Sequence, residues 1–257
     1  MALFARAERI ELSHDDAHCV IETLGGRVVS YSVAGQELLW MPKGGLDDDP
    51  VWRHGGIPIA WPWFGRIGKD DENIHGYAWK KSFSVKSRSN SVVTLELKTG
   101  FADLEYTIRL GTALELELRT VNRSDCDFPM GVAFHPYFRV SERDRTTVEG
   151  VDSAAISVTN VIDRGQKFER TELQKEYRIV DSSLGRTIRI VAENSTGVNV
   201  WNPGVEKKCP GTILGDEWRR FVAVEPFSMG VNRFHVLKPG QCRVLKMSVG
   251  TLAAVDL

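Results

Sequence analysis

A histidine among aromatic residues is the first side chain whose surroundings suit acid–base chemistry. His135 lies in the string AFHPYF, residues 133–138, where Phe134 and Pro136 flank it and should leave the imidazole only partly solvated. Partial burial lowers the pKa of a histidine and a neighbouring carboxylate raises it, so such a ring can exchange a proton near neutral pH. The alternative is a core histidine that is hydrogen-bonded to a backbone carbonyl.

A glutamate at the end of an apolar run is a candidate partner for that histidine. Glu225 follows four apolar residues and precedes Pro226 in the string FVAVEPF, residues 221–227. The pattern predicts that Glu225 ends a buried strand at a rim of the fold, where loss of water makes a carboxylate a better general base. The other interpretation is an exposed carboxylate at a strand end, which is common.

A segment rich in tryptophan, proline and glycine supplies candidate binding residues. The string WRHGGIPIAWPWFGRIG, residues 52–68, is not an ordinary strand, because proline removes backbone donors and glycine permits turns closed to other residues. Trp61 and Trp63 suit the C–H face of a sugar, although an aromatic plug in the core is equally compatible with the composition. Arg66 has the shape to bind hydroxyl or phosphate oxygens, and a surface salt bridge is its alternative.

A second histidine candidate, His75, precedes a glycine in the string IHGYA, residues 74–78. A glycine at the start of a new strand lets the imidazole lie beside closely approaching backbone. The motif is weak in isolation, because most single histidines are surface residues or hydrogen-bonded core residues.

Short segments with a period of two must position these residues. In residues 113–121 leucines alternate with charged side chains, as expected of a half-buried strand. Turn residues separate further segments of this kind, and the best helical candidate, Phe168 to Glu176, is short. The pattern predicts an all-β fold, a large antiparallel β-sandwich, as a single domain over residues 1–257. The other strand segments are residues 92–98, 104–110, 187–191 and 243–249.

Composition excludes several classes of function. The formal net charge is −1, so no nucleic-acid surface is expected. The sequence contains no stretch of about 18 apolar residues, so we expect no membrane span. The first residues lack the apolar run of a signal peptide. The four cysteines form no CxxC pair and the six histidines form no HxH pair, so we expect no metal site. A reducing cytoplasm is the resulting expectation, and we expect a monomer or weak dimer.

Five strings taken in order resemble the aldose 1-epimerase superfamily, also called galactose mutarotase-like, and within it the hexose-6-phosphate 1-epimerase branch. The strings are HGGIPIAWPWFGRIG, IHGYAW, FHPYF, VWNPG and FVAVEPF, between residues 54 and 227. The resemblance implies a large antiparallel sandwich and an enzyme that interconverts the α and β anomers of an aldose or aldose phosphate. It implies no cofactor, and a small-molecule sugar or sugar phosphate as the partner.

The resemblance also implies residue roles. His135 matches the family histidine that protonates the ring oxygen, and Glu225 matches the glutamate that takes the proton from the anomeric hydroxyl. His75 matches the histidine that binds substrate near the ring, and Arg66 is similar to an arginine that contacts substrate oxygens. We add Trp61, Trp63 and Tyr137 as an apolar platform for the sugar.

The chain departs from the hexose-phosphate branch at four places, which leaves the phosphate clamp open. His54 stands where that branch usually has arginine, and Trp79 replaces another arginine. Tyr177 stands where an aspartate would be, and a further aspartate is missing near Thr212. If the substrate is phosphorylated, Arg53, Arg66, Lys80 or Lys81 would have to rebuild the clamp.

Three rival functions remain open from the sequence. The first is a carbohydrate-binding or sugar-sensing protein on the same sandwich that has lost turnover. The second is a glycoside-cleaving enzyme or lyase, although hydrolases generally need two carboxylates and only Glu225 stands out. The third is a metal-dependent cupin-like enzyme, which the missing HxH pair disfavours.

Overall fold

A computed structural model of the protein describes residues 8–43, 53–68, 73–151, 156–157, 166–169, 174–204 and 215–252. Within these ranges the regular structure is β-strand, and no α-helix occurs. Short 3₁₀ turns lie at Ala78–Lys80, Arg143–Arg145, Glu217–Arg220 and Val231–Arg233.

The largest sheet of the described residues has nine strands and forms one layer of the fold. All its pairings are antiparallel. In spatial order the strands are β14 (Ile156–Ser157), β13 (Thr146–Glu149), β16 (Gln174–Asp181), β17 (Arg186–Glu193), β21 (Cys242–Leu252), β9 (Leu114–Asn122), β8 (Ala102–Leu110), β7 (Val92–Lys98) and β6 (Ser84–Arg88).

Smaller antiparallel sheets form the opposing layer. A six-stranded sheet has the order β15 (Gln166–Glu169), β18 (Gly197–Trp201), β19 (Phe221–Ser228), β11 (Val132–Phe134) and β5 (Ile59–Ala60), and β12 (Tyr137–Arg139) also pairs with β19. A four-stranded sheet contains β1 (Arg9–His14), β2 (Ala17–Glu22), β3 (Arg27–Val33) and β4 (Gln36–Glu37). A two-stranded sheet pairs β10 (Phe128–Met130) with β20 (His235–Leu237).

The main hydrophobic core lies between these layers, which confirms the all-β sandwich. On β9, Leu114, Leu116 and Leu118 are buried while Glu115 is exposed, as the period of two predicts. Hydrogen bonds cross the core as well, since the Tyr31 hydroxyl on β3 donates to a carbonyl of β21 at 3.2 Å. The core cluster has members in every major sheet, which supports the single-domain assignment for residues 1–257; that assignment stays a prediction.

The best helical candidate, Phe168 to Glu176, forms strands in the part that the structure describes. Its first residues belong to β15, which pairs with β18, and its last residues belong to β16, which pairs with β17; residues 170–173 lie outside the described ranges. Cross-strand hydrogen bonding therefore overrides a weak local helical pattern.

The residues that the structure describes include no helix that is long and apolar enough to cross a membrane.

Candidate active site

Three polar side chains lie in a row across the middle of the six-stranded sheet. Asn199 on β18 is paired directly with Glu225 on β19. Strands β11 and β12 both pair antiparallel with β19 in one continuous register, so His135, in the link between them, falls opposite Glu225 on its other side. The register thus sets the order amide, carboxylate and imidazole.

The alternation of β19 separates this row from the main core. Val222 and Val224 pack into the main core, whereas Phe221 and Phe227 belong to smaller clusters on the opposite face, which Glu225 shares. The strand does not end at Glu225 as the sequence predicted but continues to Ser228, because β18 and β11 pair with its second half. Glu225 is therefore a mid-strand residue and not a rim residue.

His135 and Glu225 form a buried acid–base pair. His135 Nε2 lies 3.6 Å from Glu225 Oε1, and the two residues are 5 % and 1 % exposed. Burial and, secondarily, the nearby His54 lower the pKa of His135 to about 3. The imidazole of His135 is therefore neutral near neutral pH in the free protein.

A second imidazole stands next to the pair in a backbone conformation rarely adopted by residues with a side chain. His75 has φ of 63°, and its ring centroid is 5.1 Å from that of His135 at an interplanar angle of 88°. The Gly65 amide donates a hydrogen bond to His75 Nδ1 at 3.1 Å. A neutral ring that accepts at Nδ1 carries its hydrogen on Nε2, so Nε2 is the donor atom of His75.

A glycine makes that position of His75 possible. A Cβ on Gly76 would lie 2.1 Å from the carbonyl oxygen of Trp61, and the glycine has φ of 73°. The backbone of Gly76 lies this close to Trp61 because the two residues form a β-bridge, and this bridge places His75 beside the site. The sequence expectation that a glycine would let this imidazole lie against backbone is thus what the structure shows.

Aromatic side chains surround the pair. The Tyr137 ring stacks on His135 with centroids 4.8 Å apart and planes at 16°. Trp201 lies edge-on to His135 at 6.2 Å and Phe64 at 6.3 Å. His54 stacks on Trp201 at 6.4 Å. The pair is thus desolvated on several sides, which strengthens electrostatic interactions within it.

The family model for aldose 1-epimerase matches residues 8–250, nearly the whole chain. The chain belongs to the aldose 1-epimerase family. The two polar residues that the family resemblance assigned to proton transfer, His135 and Glu225, are those that the six-stranded sheet brings together.

Curated relatives agree with this membership. A provisionally named glucose-6-phosphate 1-epimerase of Salmonella typhimurium is 26% identical over 243 residues, covering 84% of this chain and 81% of that protein. A relative of the same provisional name from Cenchrus ciliaris is 27% identical over 256 residues, covering 84% of this chain and 76% of the relative.

Solved structures share the fold. A galactose mutarotase-like protein from Lactobacillus casei superposes with a TM-score of 0.75 at 18% identity, covering 95% of this chain and 100% of the other. At such an identity the likeness concerns the architecture, an aldose epimerase sandwich.

Arg53, expected to bind substrate, takes part in a buried ion cluster instead. Its Nη2 donates to Glu22 Oε2 at 3.3 Å, and its Nη1 donates to the Leu24 carbonyl at 3.4 Å. Arg27 contacts the same oxygen of Glu22 at 2.9 Å. Buried charges of this kind need their partners, because removal of one leaves an uncompensated charge. Arg53 is therefore held by buried contacts with β2 and the turn after it.

The two tryptophans expected in a sugar platform pack against other parts of the fold. Trp61 is fully buried in the main core, and its Nε1 donates to Thr120 on β9 at 3.0 Å, because strand β5 directs it between the layers. Trp63 packs edge-on against Tyr77 and donates to the Asn73 carbonyl at 2.9 Å. Of the proposed platform, Tyr137 is the residue that contacts His135, while Arg66 is exposed.

The departures from the hexose-phosphate branch have different structural settings. His54 is buried beside Trp201 and Tyr137, and thus belongs to the surroundings of the acid–base pair. Trp79 is buried and donates to the Gly76 carbonyl at 3.1 Å. Tyr177 is buried in the main core. The position near Thr212 lies outside the described residues.

Sequence reasoning missed Asn199 as a residue of the site. Its amide contacts Glu225, yet the family resemblance drew attention only to the string VWNPG, which begins at the next residue. The signal that could have found Asn199 was a polar side chain between two buried valines, which in a strand marks a face other than the apolar core.

Metal ligands do not cluster in the part of the chain that the structure describes: no group of three or more His, Cys, Asp or Glu residues could hold an ion there.

Proposed function

We propose that the chain is an aldose 1-epimerase that uses Glu225 as general base and His135 as general acid. The observation that carries the proposal is the distance of 3.6 Å between His135 Nε2 and Glu225 Oε1 in a buried setting. The ring oxygen and the anomeric hydroxyl of a pyranose are bonded to the same carbon, C1. Two adjacent proton-transfer groups can therefore serve both oxygens at once.

Ring opening needs two proton transfers. Glu225 takes the proton from the O1 hydroxyl, the C1–O1 bond becomes a carbonyl, the C1–O5 bond breaks, and the protonated form of His135 delivers a proton to O5. Because burial lowers the pKa of His135 in the free protein, this step requires the imidazole to hold its proton in the sugar complex. After rotation about C1–C2 the two groups exchange roles, and the ring closes on the other face of C1. General acid–base catalysis contributes about 10²–10⁴-fold, which accelerates a reaction that already proceeds in water.

The neighbouring side chains have supporting roles in this proposal. His75 Nε2–H donates to a sugar oxygen near the ring, since its Nδ1 already accepts from Gly65. Tyr137 keeps the His135 ring oriented by stacking, and the half-buried Trp201 offers an apolar surface to the sugar C–H groups. Arg66 is an exposed candidate for contact with substrate oxygens.

The substrate is a sugar or sugar phosphate. The relatives named for glucose 6-phosphate favour a phosphorylated hexose, and the exposed Arg66 and Lys80 are cations that a phosphate could reach. His54 in place of the branch's arginine favours an unphosphorylated aldose. A cytoplasmic monomer or weak dimer remains part of the proposal, and the free thiols of Cys19, Cys126 and Cys242 agree with a reducing compartment.

Exchange NMR on glucose, galactose and glucose 6-phosphate tests the proposal. We expect α–β exchange of at least one sugar to accelerate in proportion to protein concentration, above the spontaneous rate in the same buffer. Binding of a sugar without any acceleration would contradict the proposal and favour a carbohydrate-binding protein. Preference for the phosphate would assign the clamp to cations such as Arg66.

A further inference from the structure

The far side of Glu225 is held by an amide. Asn199 Nδ2 donates a hydrogen bond to Glu225 Oε2 at 3.1 Å, and the two residues are 7 % and 1 % exposed. Because His135 faces the other oxygen, Oε1, the carboxylate is fixed between an amide and an imidazole. An oxygen that already accepts a hydrogen bond is the weaker base, so Oε1 is the one that should take the substrate proton.

The orientation of the Asn199 amide follows from the chemistry of its partner. An ionised carboxylate accepts hydrogen bonds only, so the NH₂ group must face Glu225 and the amide oxygen must face elsewhere. That Oδ1 is buried and accepts no hydrogen bond from any residue that the structure describes. Buried acceptors are normally satisfied, so this one calls for a donor that comes from water or from a ligand.

The order of the three side chains corresponds to the order of oxygens around the anomeric carbon. Across the sheet the order is His135, Glu225 and Asn199. In the proposed reaction the imidazole serves O5 and the carboxylate serves O1. The next oxygen beyond O1, on the side away from O5, is the hydroxyl on C2. A hydroxyl donates as readily as it accepts, which matches the unsatisfied amide oxygen.

We propose that Asn199 fixes Glu225 through Oε2 and accepts a hydrogen bond from the substrate 2-hydroxyl through Oδ1, which makes it a positioning and specificity-determining residue for 2-hydroxy aldoses. This inference rests on the proposed epimerase function. It assigns a preference for sugars that carry a hydroxyl on C2 over their 2-deoxy analogues.

Comparison of a sugar with its 2-deoxy analogue tests the contact. The pair is glucose and 2-deoxyglucose, or their 6-phosphates, whichever the wild type turns over. The ratio of kcat/KM between the two sugars should fall by about threefold to tenfold in Asn199→Val, the effect of one neutral hydrogen bond. Intrinsic differences in reactivity between the sugars cancel when the ratio is compared between proteins. An unchanged ratio in a folded variant would overturn the 2-hydroxyl contact.

The pH dependence of kcat/KM tests whether Asn199 stabilises the ionised form of Glu225. Asn199→Val removes a donor that favours the ionised carboxylate, so the acidic limb of kcat/KM should move to higher pH. A loss of activity without movement of this limb would contradict the positioning role and point to a general packing defect. Thr94→Val on β7 is the control, since it removes a hydroxyl that contacts Thr107 at 3.2 Å on another sheet.

A binding measurement separates failure of this inference from failure of the proposed function. If the wild type does not accelerate anomer exchange, the epimerase proposal fails by itself. Calorimetric titration with both sugars still tests the contact. The sugar with a 2-hydroxyl should bind more tightly than its 2-deoxy analogue to wild type, and this difference should be lost in Asn199→Val. Equal losses of affinity for the two sugars in the variant would overturn the contact.

Discussion

A few interatomic distances define the proposed chemistry at the level of single residues. His135 Nε2 and Glu225 Oε1 lie 3.6 Å apart, and both residues are nearly free of solvent. His75 stands at a right angle to His135, with its Nδ1 already bonded to backbone. In the proposed mechanism these three polar groups have separate roles, in which His135 and Glu225 transfer protons and His75 binds the sugar.

His75→Asn should separate binding from backbone strain. Asparagine tolerates the left-handed φ of 63° better than most residues, so the backbone should be retained. The variant loses the Nε2 donor, and we expect kcat/KM to fall by about tenfold, chiefly through a higher KM, with an unchanged unfolding midpoint. Exchange NMR over a range of sugar concentrations measures this effect. Wild-type kinetics in the variant would remove His75 from the site.

Strand register decides which side chains meet at the level of the elements. On β19, alternate residues face the main core and the candidate site, so a slip by one residue would exchange Val224 and Glu225. The bridge between Trp61 and Gly76 decides the position of His75 in a similar way, because it fixes the backbone next to that histidine. The site thus depends on backbone pairing as much as on the identity of its side chains.

Gly76→Ala should displace His75 without any change to a polar side chain. The new Cβ would lie 2.1 Å from the Trp61 carbonyl oxygen, so the bridge must shift. Gly35→Ala is the matched control, since Gly35 has φ of 74°, near the 73° of Gly76, and a Cβ at that position would have no atom within 4 Å. Left-handed strain alone costs about 1–2 kcal/mol in each variant.

We expect Gly76→Ala to lose most anomer exchange and more unfolding free energy than Gly35→Ala, which should keep its activity. Denaturant unfolding and exchange NMR measure the two effects. Equal behaviour of the two variants would mean that the bridge does not position His75.

For the molecule as a whole, the fold could be predicted and the site only in part. The period of two on segments such as residues 113–121 is a local signal, so the strands and the sandwich class followed from it. The proximity of His135 and Glu225 depends on long-range pairing, and it could be foreseen only through the family resemblance. Asn199 had a local signal, a polar side chain between two valines, but its pairing with Glu225 is again a long-range contact. Trp61 was misplaced because aromatic residues suit a core and a sugar equally.

Burial of His135 should make the stability of the whole fold depend on pH. Its pKa is lowered to about 3, whereas an unfolded chain binds the proton near the ordinary value of about 6.5. The unfolded state therefore holds more protons as the pH falls from about 6.5 toward 3, and stability is lost over that range. The slope from one such group is at most about 1.4 kcal/mol per pH unit.

Denaturant unfolding at pH 7 and pH 5 measures this effect. We expect wild type to lose more unfolding free energy between these values than His135→Gln, which has no proton to bind at this position. An equal or larger loss in the variant would show that the folded imidazole binds its proton as readily as the unfolded one.

Anomer exchange by Glu225→Gln decides whether the buried acid–base pair performs the reaction. Glutamine keeps the size of the side chain and removes its ability to accept a proton. We expect a folded protein that still binds sugar and loses about a hundredfold or more of the exchange rate. Exchange at the wild-type rate in that variant would contradict the proposed mechanism, because proton removal from the anomeric hydroxyl would then not depend on Glu225.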